Sequence, residues 1–558
     1  MSNLDQRRDQ MFPVLTGPQI DVARRFASGE AQAFEPGATI FGIGDVGAPA
    51  WLVLEGSIAV IRRDGLNHDA AVTEHHVGQF SGEVNQLSGR PSIAGGSAGA
   101  DGCTALPFDA AHLRALMVGS ADIGETVMRA LILRRVGLIE EGGAGSIIIG
   151  APNSPEVTRL QGFLARSGYP HLVLDAASDE EGKALIERSG VLPEELPLMV
   201  CPNGTILKRP TTAEVSICLG MMPQLDPDKV YDVAVVGAGP AGLAAAVYAA
   251  SEGLSVLVLD ERAIGGQAGA SARIENYLGF PTGISGQALA GRAFSQALKF
   301  GAEIAIPLGV HGFDCPPDHV PGDPLVLELA DGRVRARAVI IASGARYRRP
   351  DIADLDQFEG AGISYWASPI EAKLCENEKV ALVGGGNSAG QAIVFLASRA
   401  KEVNVVVRRP LEETMSRYLI DRIAALPNVE LHVGKEICGL KRDAAGGLCG
   451  ATFRDRKTGE VKSCDSRHLF LFIGADPNTT WLQDCVDTDD KGFIVTGKSD
   501  LPLETSIPGV FAIGDVRAES TKRVAAAVGE GAAVVAQIHA MFARVKAEGG
   551  VEKEPVAA

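Results

Sequence analysis

The most constraining feature of this chain is the turn GAGPAG at residues 237–242, which stands between a buried-strand pattern and an alanine-rich helix pattern. In such a turn the first glycine permits the sharp reversal, the second lets a pyrophosphate approach the backbone, and the third lets the helix pack on the strand. The N–H groups at the start of the helix then face the phosphates. The next apolar run ends at Asp260, the place from which an acid accepts a hydrogen bond from an adenosine ribose. The pattern predicts a dinucleotide-binding α/β domain.

The same pattern occurs a second time at residues 379–397, where the turn GGGNSA follows a buried strand. The strand after this turn ends in Arg408 and Arg409 instead of an acid. Guanidinium groups at this edge suit a 2′-phosphate, so the second site is predicted to prefer NADPH over NADH. The alternative interpretation is that the two arginines are a solvated strand end.

A third glycine-bearing turn, Gly514 with Asp515, follows another buried-strand pattern, and an apolar helix is predicted to begin near Lys522. An acid in this place can hold a ribityl hydroxyl while the N-terminus of the helix faces a flavin ring.

From about residue 230 to 545 the chain resembles the low-molecular-weight thioredoxin reductases, with the motifs in that family's order. These motifs are GGQ (265–267), IENYLGF (274–280), ASGA (342–345), GGGNSA, GADPNT (474–479) and GDV (514–516). The resemblance implies an FAD-binding domain at 228–345 and 476–545, an NADPH-binding domain at 346–475 inserted within it, a disordered tail at 546–558, and a homodimer. It also implies that hydride passes from NADPH to FAD after a rotation of the inserted domain.

The predicted cofactor-binding residues fall into two groups. Those for FAD are Gly237, Gly239, Pro240, Ala241, Gly242, Asp260, Gly266, Gln267, Asn276, Gly344, Gly514, Asp515, Lys522, Arg523 and Val524. Those for NADPH are Gly384, Gly386, Asn387, Ser388, Ala389, Arg408 and Arg409. Lys522 and Arg523 are expected near the pyrimidine edge of the flavin, where positive charge stabilises the reduced anion. No residue stands out as a catalytic acid or base.

The chain departs from the family just before the second turn, where the family carries a redox-active cysteine pair. Trp366 and Pro369 occupy the two cysteine positions, and Ile370 replaces an acid. Neither substitute can act as a thiol–disulfide couple. We therefore expect an NADPH-dependent FAD oxidoreductase that passes electrons to oxygen, a quinone, another flavin or a partner protein. The alternatives are a thioredoxin-disulfide reductase that works without an internal dithiol, and a nucleotide- or redox-responsive regulatory protein.

Residues 1–145 resemble a cyclic-nucleotide-binding domain, for which an antiparallel β-barrel with helices is predicted. Gly82 and Glu83 match the start of that family's phosphate-binding cassette. Ser92 stands where the family has its phosphate-gripping arginine, and Arg90 lies two residues early. Loss of this contact should weaken cyclic-nucleotide binding, and the alternative is a dimerisation or docking barrel. The neighbouring His75 and His76 are expected at the surface and not in a metal site, because no ligand cluster accompanies them.

Residues 146–222 follow the order β-α-β-α-β-β-α and resemble thioredoxin and glutaredoxin. The place of that family's Cys-x-x-Cys reads NSPE (153–156), so no redox site is expected there, and Pro197 falls where the family has a cis-proline. The whole chain is therefore predicted to be multidomain: a barrel, a thioredoxin-like α/β domain, and two Rossmann-like domains of the three-layer β/β/α kind.

The net charge and the spacing of the cysteines limit which binding partners and which cellular compartment are expected. A net charge of −17 argues against nucleic-acid and anionic-membrane partners. The nine cysteines show no paired spacing, and the N-terminal residues have no apolar signal segment. We expect reduced thiols and a cytoplasmic location.

Overall fold

The computed structural model describes residues 8–549 except 64–68, 83, 88–90, 93, 141–145, 153, 168, 203, 223–224, 315–318, 361 and 445. Two residues of the predicted phosphate cassette, Glu83 and Arg90, lie outside the described residues.

The N-terminal segment is an antiparallel sheet with four helices. The elements are α1 (Arg8–Met11), α2 (Gly17–Arg24), β1 (Gln32–Phe34), β2 (Thr39–Phe41), β3 (Ala50–Arg63), β4 (Asp69–His76), β5 (Phe80–Ser81), β6 (Gly95–Phe108), α3 (Ala110–Gly119) and α4 (Ala121–Glu140). The two long strands, β3 and β6, pair with each other along most of their length. The strand order is β1-β6-β3-β4, with β2 also on β6 and β5 also on β3.

The expected closed barrel is not found in the described part of this segment. The outer strands β1 and β4 each pair on one side only, with β6 and β3 respectively. The long strands β3 and β6 pair with different strands along their two halves, and the two edge strands of the sheet do not pair with each other.

Residues 146–218 show the predicted order of strands and helices around a four-stranded sheet. The elements are β7 (Ser146–Gly150), α5 (Pro155–Ser167), β8 (His171–Asp175), α6 (Glu180–Arg188), β9 (Leu198–Val200), β10 (Ile206–Lys208) and α7 (Thr212–Cys218). The strand order is β10-β9-β7-β8, with β7 and β8 parallel and the other pairs antiparallel. The bond between Leu196 and Pro197 is cis.

The expectation of reduced thiols is wrong for this segment, because Cys201 and Cys218 form a disulfide. Cys201 follows β9 and Cys218 ends α7, which packs on the same sheet. The 17-residue separation carries no motif, so only the packing of the helix on the sheet reveals the pair. Cys485 is disulfide-bonded as well.

The next domain begins with a parallel sheet that carries the first glycine turn. Its elements are β11 (Val230–Val236), α8 (Pro240–Ser251), β12 (Val256–Leu259), α9 (Gly266–Gly269), α10 (Gly286–Lys299), β13 (Glu303–Ala305), β14 (Val310–Asp314), β15 (Leu325–Leu329), β16 (Gly332–Ile341) and β17 (Ala345–Tyr347). The order β13-β12-β11-β16-β15-β14 is parallel from β13 to β16 and antiparallel beyond.

The inserted domain has its own all-parallel sheet and a three-stranded antiparallel layer. Its elements are α11 (Leu355–Phe358), β18 (Ile363–Ser364), α12 (Pro369–Leu374), β19 (Lys379–Val383), α13 (Asn387–Ala397), β20 (Glu402–Val407), α14 (Arg417–Ala424), β21 (Val429–Val433), β22 (Lys435–Arg442), β23 (Leu448–Asp455), β24 (Val461–Asp465) and β25 (His468–Leu471). The parallel order is β18-β25-β19-β20-β21, and β22-β23-β24 form the second layer.

The chain then returns to the first domain through β26 (Ala475–Pro477), which pairs with β17. β27 (Val510–Ala512) joins the first sheet beside β16, and α15 (Val524–Gly549) completes the domain. The helix continues to Gly549, so residues 546–549 are helical and not disordered as predicted, while 550–558 lie outside the described residues.

One helical stretch among the described residues, Val524–Ala547, passes a length and hydropathy test for a membrane span. Three of its side chains, Val534, Val535 and Ile538, are fully buried in the core that also contains residues of α8. This packing is that of a core helix in a layered α/β domain.

Candidate functional site

A cavity of about 750 Å³ lies between the first glycine turn and the helix α13 that follows the second one. Most of the predicted residues line it: Gly237, Gly239, Pro240, Ala241, Asp260, Gly266, Gln267, Asn276, Gly344, Trp366, Asn387, Ser388, Gly514, Asp515, Lys522, Arg523 and Val524. The predicted residues outside this lining are Gly242, Pro369, Gly384, Gly386, Ala389, Arg408 and Arg409.

The first turn is built so that only glycine fits at two of its positions. Gly237 has φ of +114°, and an added Cβ would lie 2.2 Å from the Ala342 carbonyl oxygen. A Cβ on Gly242 would lie 1.9 Å from the Gly237 carbonyl oxygen, which explains why this glycine serves packing and not the cavity wall. Gly239 has open space beside it except for the Cα of Gly266 at 4.0 Å. This open concave backbone before α8 fits a pyrophosphate.

Asp260 anchors the turn from the end of β12. Its carboxylate accepts hydrogen bonds from the backbone N–H groups of Ala238 and Arg262, both at 2.8 Å. Burial raises the pKa of Asp260, and the backbone N–H donors act against that rise. The carboxylate both orders the turn and lines the cavity, as an acid that holds a ribose must.

The third turn, at Gly514 and Asp515, lies in the cavity wall together with the cation of Lys522. The Lys522 ammonium donates to the Asp515 carbonyl oxygen at 2.6 Å and to the Ser520 hydroxyl at 2.9 Å. Burial raises the pKa of Asp515 and lowers that of Lys522. Arg517 and Glu530 form an ion pair at 2.6 Å beneath the turn, and Glu530 also accepts from the Gly514 N–H. The wall is therefore rigid and carries positive charge where α15 begins.

The second turn has the same construction in the inserted domain. A Cβ on Gly384 would lie 2.4 Å from the Phe472 carbonyl oxygen. The side-chain oxygen of Asn387 accepts from the backbone N–H of Ser416 at 2.7 Å, which ties the start of α13 to the start of α14. Arg408 and Arg409 are exposed, and Arg409 pairs with Glu413 at 3.6 Å.

Trp366, at a cysteine position of the predicted family, is held by a carboxylate. Its indole Nε1 donates to Glu371 at 2.9 Å, and Glu371 also accepts from the backbone N–H of Ser368 at 3.0 Å. Pro369 begins α12. Cys375 is fully buried, and burial raises the pKa of its thiol to about 12. No cysteine lines the described cavity.

The inserted domain contributes residues of α13 to this cavity, and the expected rotation of that domain stays a prediction. Asn387, Ser388, Gln391 and Phe395 of α13 line the same cavity as the first turn. The two Rossmann-type domains therefore share this cavity.

Several residues of the site were not predicted from the sequence. Tyr347, Arg422 and Trp481 also line the cavity, and Tyr347 lies 6.4 Å from Trp366 between ring centroids. Arg422 sits on α14, far along the chain from its contact Glu275, so no local pattern could have found it. Trp481 follows the GADPNT motif after one intervening threonine. This closeness to a recognised motif could have identified Trp481 as a site residue from the sequence.

In the N-terminal segment, the two described cassette residues serve the local fold. The Gly82 carbonyl accepts from Arg134 at 2.9 Å, and the buried Ser92 hydroxyl accepts from Gln86 at 3.3 Å. Burial lowers the pKa of Arg134 to about 9. His75 is buried and not at the surface as expected, because it faces inward beside Phe12, while His76 is exposed.

Two Rossmann-type domains that open onto one cavity define an oxidoreductase that uses two nucleotides. The family model "Pyridine nucleotide-disulphide oxidoreductase" matches residues 231–531, and the chain belongs to this family.

Curated relatives and solved structures agree with this assignment. The chain is 32% identical over 322 residues to thioredoxin reductase from Ureaplasma parvum, covering 56% of this chain and 96% of that protein. It is 31% identical over 307 residues to NADPH-dependent thioredoxin reductase 3 from Arabidopsis thaliana, covering 54% of this chain and 56% of that protein. The structure of thioredoxin reductase from T. acidophilum matches with a TM-score of 0.52 and 30% identity, covering 56% of this chain and 99% of that one. The chain is an NADPH-dependent FAD oxidoreductase whose cofactors are FAD and NADPH.

Proposed function

We propose that this protein transfers hydride from NADPH to FAD and passes the electrons to an acceptor other than a dithiol of the flavin cavity. The observation that supports this is Trp366: a hydrogen-bonded indole stands at a cysteine position of the family, and no sulfur lines the described cavity. An indole cannot exchange with a disulfide. The acceptor classes are oxygen, a quinone, another flavin or a partner protein.

The residues of this chain have separable tasks in that reaction. Bound FAD supplies the hydride acceptor and electron store. Asp260 and the first turn hold the adenosine half, and the positive wall with Lys522 favours negative charge on the pyrimidine side. Asn387 and Ser388, at the start of α13, would hold the phosphates of NADPH beside the cavity, so that its nicotinamide could reach the flavin.

The test is anaerobic stopped-flow absorbance of the flavin band after addition of NADPH, followed by oxygen, a soluble quinone or thioredoxin with its disulfide intact. We expect rapid bleaching and re-oxidation by one of the non-thiol acceptors. A flavin that NADPH does not bleach overturns the proposal, and re-oxidation by thioredoxin alone excludes oxygen and quinones and favours a disulfide reductase.

One observation favours a second candidate, a disulfide reductase without a dithiol in the flavin domain. The disulfide Cys201–Cys218 lies in the thioredoxin-like segment, with Cys218 half-buried. In this reaction NADPH and one proton would convert the disulfide into two thiols, with NADP⁺ as the other product. Thiol titration after anaerobic turnover tests it: two new thiols per chain, absent in a Cys201→Ser/Cys218→Ser variant, support this candidate, and an unchanged count excludes it.

A further inference from the structure

One ion pair connects the inserted domain to the FAD-binding domain across the cavity. The Nη1 of Arg422 on α14 donates to the carboxylate of Glu275, in the segment 274–280 of the FAD-binding domain. Both side chains line the cavity. Arg273 approaches the same carboxylate at 3.4 Å. Glu275 thus receives a cation from each domain.

The other described ion pair between the two domains has a different position. Arg348 and Asp476, 2.6 Å apart, lie at the connecting strands β17 and β26 and would move with them. Among the described ion pairs, only Glu275–Arg422 joins the two domains away from the connection. It is therefore placed to set their relative orientation.

The pair is linked through short contacts to the nucleotide-binding turn. Leu419, one helical turn before Arg422, is buried, and its Cδ1 lies 2.9 Å from where a Cβ on Gly390 would stand. Gly390 belongs to α13, so α14 packs directly on that helix. At the start of α14 the backbone N–H of Ser416 bonds to Asn387. Holding Arg422 therefore holds the residues that begin α13.

The partial burial of the pair makes it more than a surface contact. The Glu275 side chain is only 17% exposed, although that of Arg422 is 49% exposed. Removing one partner leaves a carboxylate or a guanidinium at a cavity wall, which costs more than losing an exposed pair.

We propose that Glu275 and Arg422 are positioning residues whose ion pair holds the NADPH-binding domain over the FAD cavity, so that hydride transfer proceeds without a domain rotation. This inference rests on the proposed hydride transfer from NADPH to FAD. A chain without a dithiol beside the flavin has no use for a second orientation that would bring a dithiol there. The pair then serves the remaining half of the reaction, the approach of nicotinamide to flavin.

The experiment is a charge-swap series on the FAD-loaded full chain: Glu275→Arg, Arg422→Glu, and the double variant. The rate of anaerobic flavin reduction at saturating NADPH should fall by about 10-fold or more in each single variant, because misplacement of reacting groups is costly. In the double variant the rate should return to within about threefold of the native chain, since the attraction is restored. The Kd for NADP⁺, measured by calorimetry, should change little throughout.

A matched control is Arg417→Glu, which makes the same charge change on the same helix. Arg417 pairs within α14 with Asp421 at 2.8 Å and does not line the cavity. Its flavin reduction rate should equal that of the native chain. Single variants that reduce flavin at the native rate, or a double variant as slow as the singles, overturn the proposal. If the native chain itself shows no flavin reduction, it is the proposed function that fails.

Discussion

At the scale of single residues, the two nucleotide turns differ most in the charge that follows them. Asp260 is half-buried and orders the first turn by accepting hydrogen bonds from backbone N–H groups. Arg408 and Arg409 are exposed at the corresponding end of β20. A carboxylate repels a phosphate and a guanidinium binds it. The acid is therefore expected to exclude a 2′-phosphate at the first turn, and the two arginines are expected to bind one at the second.

Replacing both arginines should therefore change nucleotide choice. For Arg408→Ala/Arg409→Ala we expect the KM for NADPH to rise about 10- to 100-fold, the loss of charge-assisted hydrogen bonds to phosphate, while the KM for NADH stays constant. Steady-state kinetics with both nucleotides measures this. Glu413→Gln is the control, because it only frees Arg409 from its ion pair and should not raise either KM. An equal rise for both nucleotides would contradict a 2′-phosphate role.

His75 is a second residue whose environment sets a measurable property. Burial, and then the charges of Arg134 and His76, lower its pKa well below the ordinary value. The folded chain keeps His75 neutral, while the unfolded chain binds a proton below about pH 6.5. The contribution of His75 to the free energy of unfolding is therefore complete above that pH and falls as the pH drops below it.

We expect a loss of thermal stability between pH 7.5 and 5.5 that is smaller in a His75→Leu variant. The melting temperature at each pH is the measurement. His76→Gln serves as a comparison, since it removes only the smallest of the three causes of the lowered pKa of His75 and should leave most of the pH dependence in place. A His75→Leu slope equal to that of the native chain would show that other groups cause the loss.

At the scale of elements, the strand–turn–helix unit of β11 and α8 shows how local geometry makes a nucleotide site. Gly239 stands before the helix and Pro240 occupies its first turn, where a missing N–H costs nothing. Gly242 lets α8 pass close to the turn. The unit is specified within a few residues, which is why its pattern could be recognised in the sequence.

Gly242→Ala should push α8 away from the turn, because the new Cβ would meet the Gly237 carbonyl oxygen at 1.9 Å. We expect purified protein to retain less than about a tenth of its flavin, by analogy with the cost of overpacking a core. The ratio of flavin to protein absorbance reports it. Gly529→Ala is the matched control in α15, where an added Cβ meets no atom within 4 Å, and it should keep full flavin. Full flavin in both variants would refute the packing role.

At the scale of the whole molecule, the N-terminal segment and the FAD-binding domain share one core. A single cluster of buried side chains includes Leu52 and Leu116 of the first and Val233, Leu298 and Ile538 of the second. The middle segment is different, because its buried residues form separate clusters on the two faces of its sheet. The first segment should therefore sense the state of the FAD site more than the middle segment does.

Hydrogen exchange measured with and without FAD tests this coupling. We expect FAD to slow exchange in α3 as well as in α8, because stabilising one part of a continuous core stabilises the rest. The strand β7 of the middle segment should change less. Equal protection in β7 and α3, or none in α3, would show that the shared core does not couple the two.

Most of the order of elements was predictable, because each nucleotide-binding turn has glycines at a fixed spacing that can be recognised in the sequence. Both turns follow a strand and precede a helix as their patterns indicated, and Asp260 and Asp515 line the cavity. The predicted closed barrel is not found in the described residues, and the predicted surface position of His75 is wrong. The prediction of reduced thiols is wrong for Cys201 and Cys218, which form a disulfide. Each depends on which distant segment packs against the residue, as with Cys201 and Cys218.

Neighbouring residues alone specify the two nucleotide-binding units and the lack of a cysteine pair before the second one, so these features could be read along the chain. The tertiary structure was needed to show that the first turn and the start of α13 border one cavity, with Trp366 in its wall and Glu275 bonded to Arg422 across it. Glu275 and Arg422 are 147 residues apart. Contacts of that range follow from how whole domains pack, and no local pattern encodes them.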